Sequence, residues 1–81
     1  MEITEPDHPG RPIIEQYKAE MRRRFRQLAR EMGSRESDSL GDALLLLWEG
    51  SYLTRLTLGQ HGPVQDAGKA ARAMIAAYTH S

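Results

Sequence analysis

Between Leu40 and Leu58 the chain sets apolar side chains on almost every face a helix can present. Leu40, Leu44 and Leu47 share one side with Ser51, and Leu58 lies further along. Ala43, Leu46, Gly50, Leu53 and Thr57 form a neighbouring stripe, and Leu45, Trp48, Tyr52 and Leu56 a third. A helix apolar on most of its circumference has to be covered from more than one direction. The run Ala43–Trp48 is far shorter than the ~20 residues that span a bilayer, so lipid is not the cover. The remaining covering matter is protein, and an 81-residue chain has room for only one small domain. Two further helices can hardly enclose such a rod, so the pattern predicts a second subunit.

The flanking segments predict an all-α fold of three helices. Residues 1–10 hold Pro6, Pro9 and Gly10 without apolar periodicity and read as an extended lead-in. Pro12 suits a first helical turn. Ile14, Tyr17, Met21, Phe25, Leu28 and Met32 then recur at three- and four-residue spacings, predicting a helix over 11–32 that ends at Gly33. The second helix is predicted over 38–58, starting somewhere in Glu36-Ser37-Asp38-Ser39 and stopping at Gly59. Ser39 and Asp42 there imitate a capping box. Gln60-His61-Gly62-Pro63 breaks the chain, and Pro63 opens a third helix over 63–79. One face of it carries Val64, Ala67, Gly68, Ala71, Met74, Ile75 and Tyr78. Ala70, Ala73 and Ala77 make an adjoining face of very small side chains. Alanine is the best helix former, and small residues at this spacing also let two helix backbones come close; both readings stand.

Composition removes most chemistry. Cysteine is absent, so neither disulfides nor thiolate metal sites support a core this small, and association is the usual substitute. Eleven basic and eleven acidic residues cancel, which leaves no global field for nucleic acid. The charges are uneven, with seven basic against three acidic residues in 11–32. Arg22-Arg23-Arg24-Phe25-Arg26 could contact phosphates. On a helix, however, these arginines fan across about 160°, and Glu20 and Glu31 lie close enough to pair with them, so a solvated face is the better reading. His8, His61 and His80 stand in no metal-ligand spacing. Asp38 and Asp42 sit near one helix start, where carboxylates meet the positive end of the dipole. No strand precedes a Gly-rich phosphate loop, and no catalytic constellation is present. The expectation is a non-enzymatic protein without cofactor or metal, and nothing resembles a signal peptide, so a cytoplasmic location follows. Trp48, Tyr52 and Arg55 either line a small-molecule pocket or serve as core and interface residues.

Several strings together resemble the C-terminal helices of TetR/AcrR-family transcriptional regulators. They are Asp7-His8-Pro9 ahead of a basic helix, Leu28-Ala29-Arg30-Glu31-Met32-Gly33, and Leu40-Gly41-Asp42-Ala43-Leu44-Leu45-Leu46-Leu47-Trp48-Glu49-Gly50. Ala67-Gly68-Lys69-Ala70-Ala71-Arg72-Ala73 closes the pattern. The resemblance implies a homodimer whose last two helices pair with their mates as a four-helix bundle. Leu46, Gly50, Leu53 and Thr57 would then lie in the interface with Ala70, Ala73 and Ala77. Glu49-Gly50-Ser51 resembles the family's acidic-Gly-small signature, with Gly50 admitting a neighbouring backbone. The full-length parent would sense a small-molecule effector. Two departures stand out: Glu36-Ser37 replaces the usual Asp-Pro opening, and Gly41 replaces an expected Ala. The three-helix DNA-reading domain of such regulators has no counterpart in these residues, so 11–81 is expected to be a regulatory and dimerisation domain that does not itself bind DNA. The alternative is a stand-alone helical module that captures protein partners through the same apolar helices.

Overall fold

A computed structural model describes residues 9–79. The chain is all-helical there, with α1 (Arg11–Glu31), α2 (Ser37–Leu58), a short 3-10 helix (Pro63–Asp66) and α3 (Ala67–Thr79). Each boundary falls within a residue or two of the predicted one, except that the first turn of the third helix is wound as a 3-10 turn. Residues 1–8 of the expected lead-in lie outside the described residues. Pro9 and Gly10 form a turn, and Gly10 already has helical angles as the N-cap of α1. That pair is therefore not extended.

The stop after α1 is built as expected from its glycine. Gly33 has φ +88°, its N–H donates to Arg30 O at 3.0 Å, and the Ser34 N–H donates to Ala29 O at 3.2 Å. This pair of bonds satisfies the last carbonyls of a helix and turns the chain sharply. The start of α2 differs from expectation. The helix begins at Ser37 with Glu36 as N-cap and no side-chain cap, and the Ser39–Asp42 capping box does not form. Asp42 lies in the second turn and is drawn instead to the arginines of α1.

α1 runs antiparallel to α2: Lys18 pairs with Glu49, while Arg22 and Arg26 pair with Asp42 further back along α2. The two helices come close at Gly41, which is buried. A Cβ at that position would stand 2.5 Å from Arg26 Cα. The departure from alanine noted above thus has a cause inside the chain, because only a hydrogen there lets the two backbones cross. α3 docks on the other flank of α2, with Ala71, Met74, Ile75 and Tyr78 against the small core of Ala29, Leu40 and Leu44. The Ser34 hydroxyl donates to Tyr78 O at 2.9 Å and accepts the Glu36 N–H at 3.1 Å, tying the end of α3 to the α1–α2 turn.

The predicted stripe of α1 is only partly inward. Ile14, Met21 and Phe25 are half-buried, but Tyr17, Leu28 and Met32 are exposed, and the one fully buried residue of α1 is Ala29. Close crossing at Gly41 favours the small Ala29 over the long side chains beside it. The three helices lie side by side in a slab of 45 × 30 × 13 Å. α1 and α3 lie on opposite flanks of α2 and their backbones do not approach each other, so the helices form a single layer. Among the described residues, Leu40 is the only large side chain that is completely enclosed.

Candidate functional site

A single layer of helices has two broad faces, and α2 contributes apolar residues to both. At about 100° per residue, Leu46, Gly50, Leu53 and Thr57 lie roughly 140–180° around the helix from Trp48. The first group is solvent-facing throughout, with Leu46 71% and Leu53 62% exposed. The Thr57 hydroxyl donates back to Leu53 O and Thr54 O at 3.2 Å each, which leaves its methyl as the outward surface. On α3, Ala73 and Ala77 are exposed and Ala70 is half-buried. A groove of about 270 Å³ runs between the two helices, and its lining includes Leu46, Gly50 and Ala70. The structure thus gathers three of the seven expected interface residues around one groove and leaves six of the seven open to solvent.

Gly50 differs from Gly41 in its surroundings. A Cβ at Gly50 would meet nothing within 4 Å. Glycine in a helix interior costs roughly 0.5–1 kcal/mol relative to alanine, and no contact within the described residues requires it there.

The opposite face is aromatic. Trp48, Tyr52 and Arg55 line one hollow of about 160 Å³ with Ser51 and Val64, so the expected trio is brought together. It is not a core cluster: Trp48 and Tyr52 are more than half exposed. Phe25 supports Trp48 from α1, ring centroids 6.3 Å apart and tilted by 52°. The Arg55 guanidinium carbon lies 5.9 Å from the centre of the Tyr52 ring, within reach of a cation–π attraction. An adjoining hollow of about 390 Å³ is bounded by Tyr17, Lys18, Met21 and Glu49 with the same two aromatic residues.

The arginine run resolves into two kinds of contact. Arg23 and Arg24 pair with Glu20 on their own helix, as the spacing predicted. Arg22 and Arg26 cross to α2, each giving Asp42 a forked pair of hydrogen bonds of 2.8–2.9 Å. Arg26 also meets Asp38 at 3.5 Å. These bonds, with that of Arg26 the stronger, hold the Asp42 carboxyl far below the usual carboxylate range, and the same bonds raise Arg22 and Arg26. Sequence reasoning missed this clasp. The only available signal was the one-turn spacing of Arg22 and Arg26 opposite an acidic helix start.

His61 lies in the turn before the 3-10 helix, its ring Nδ1 3.3 Å from Gln65 Nε2; His8 and His80 lie outside the described residues. Among the described residues, no group of three His, Asp or Glu side chains could hold a metal, and no helix is long and apolar enough to cross a membrane. Comparison with known proteins finds no match among family models, curated proteins or solved structures.

Proposed function

We propose that this chain is the dimerisation and effector-sensing end of a TetR-like transcriptional regulator, pairing with a second copy through α2 and α3. In this reading it works in the cytoplasm, catalyses no reaction and does not itself hold DNA. The observation that carries the pairing is the open face of Leu46, Gly50, Leu53 and Thr57, with a glycine at its centre that no contact among the described residues requires. Two such faces brought together would bury the leucines and let the helix backbones approach at Gly50.

The exposed apolar surface of α2 supports the same reading: Leu46, Leu53, Leu56 and Leu58 are each more than 60% exposed. The sensing half of the proposal rests on the second face, where an apolar wall carries a few polar groups.

Sedimentation velocity across the micromolar range tests the pairing. The expected result is a dimer that Leu46→Glu converts to monomer with its helical circular dichroism retained. A parent chain that stays monomeric throughout overturns the pairing and leaves this face to a different helical partner.

A further inference from the structure

We infer that the hollow of Trp48, Tyr52 and Arg55 takes a small apolar carboxylate, with its ring or short chain on the two aromatics and its carboxylate on the Arg55 guanidinium. The inference deepens the effector-sensing half of the proposed function and does not depend on pairing.

The charge pattern of α2 points to the sign of the ligand. Its three acids are all engaged by α1: Asp38 by Arg26 and Arg30, Asp42 by Arg22 and Arg26, and Glu49 by Lys18. Arg55 is the only cation of α2, and no carboxylate among the described residues pairs with it. Standing in the last turn, it meets the negative end of the helix dipole. That position alone does not choose a face, but the approach to Tyr52 at 5.9 Å sets the guanidinium at the rim of the aromatic hollow. A planar guanidinium stacked near a ring keeps a fork of N–H donors matched to a carboxylate. An organic cation would be repelled by Arg55 and would meet no carboxylate in the lining.

The dimensions point to its size. Pockets for drug-sized molecules hold roughly 300–1,000 Å³, and this hollow holds about 160 Å³. That leaves room for one ring or a short chain. Trp48 and Tyr52 supply flat apolar area, and Ser51 is the one neutral hydroxyl of the lining besides the Tyr52 phenol.

Trp48 is the only tryptophan and lines both this hollow and the adjoining one, so its fluorescence is read together with Arg55, which lines this hollow and not the other. The full chain is titrated with benzoate, its neutral analogue benzamide and the cation benzylammonium. Shifts of the Trp48 and Arg55 side-chain N–H resonances serve as a second readout. Benzoate is expected to give a saturable response, with benzamide and benzylammonium weaker by about tenfold or more, the scale of a lost charge-assisted contact. Arg55→Gln should reduce benzoate to the level of benzamide, and Arg55→Lys should keep part of the preference. Equal responses to the three probes, an unchanged Arg55→Gln variant, or no response in either readout at millimolar probe would overturn the inference. Sedimentation of the same samples separates the two claims. Selective binding by a monomer keeps this inference and sinks the pairing, whereas a dimer without selectivity does the reverse.

Discussion

At the scale of single residues, Asp42 and the two small residues at the α1–α2 crossing carry most of the internal specificity. Asp42 receives four hydrogen bonds from two arginines, so its proton is released far more readily in the folded chain than in the unfolded one. A carboxylate lowered in this way contributes stability above its unfolded pKa, about 3.9, and loses that contribution as pH falls below it. Thermal unfolding followed from pH 7 to pH 2.5 should therefore show a midpoint that drops below about pH 4. Asp42→Asn should lower the midpoint at pH 7 and flatten the acid limb; an unaltered limb would remove Asp42 as its source. Gly41→Ala adds a methyl where Arg26 Cα stands 2.5 Å away. The backbones must part, at a cost of about 1–3 kcal/mol in denaturant unfolding.

At the scale of elements, the same substitution should act oppositely on the two glycines of α2. Gly50→Ala enters open space, so it should raise helicity and stabilise the isolated chain by roughly 0.5–1 kcal/mol. In the proposed dimer the added methyl pushes the backbones apart, so the dissociation constant should rise by about tenfold, read by sedimentation equilibrium. If Gly50→Ala dimerised as tightly as the parent, Gly50 would not be the crossing point. The helices themselves were legible in the sequence, because Pro12, Gly33, Gly59 and Pro63 punctuate runs of strong helix formers. The surplus apolar surface of α2 was legible for the same reason: periodicity shows how much of a rod is apolar. It does not show which neighbour covers which face. The Arg22–Asp42–Arg26 clasp joins residues 16 and 20 apart in the chain and depends on a crossing that no local pattern encodes. In the sequence Gly41 is only a departure from an expected Ala; the approach of α1 explains it. The aromatic trio was recognisable as one cluster from its spacing, but its exposure follows only from how α1 and α3 flank α2.

At the scale of the whole molecule, thickness governs behaviour. Domains of ordinary stability stack at least two layers around a core, and this chain has one layer. Its radius of gyration, 14.6 Å, exceeds the roughly 11–12 Å of a compact domain of this length. Stability drawn from association depends on concentration, so the unfolding midpoint should climb when the chain is concentrated a hundredfold, by roughly 2.7 kcal/mol of mass action at most. A midpoint independent of concentration would argue that the slab stands alone. A layer this thin also dictates how backbone amides trade hydrogen for deuterium. With so little interior, the slowest amides of an isolated chain should cluster around Ala29, Leu40 and Leu44, while the turns of α2 from Leu46 to Thr57 exchange by local fraying. Pairing would superimpose a second protected band on that stretch. Where protection appears along α2 would thus distinguish the isolated layer from one that has met its counterpart.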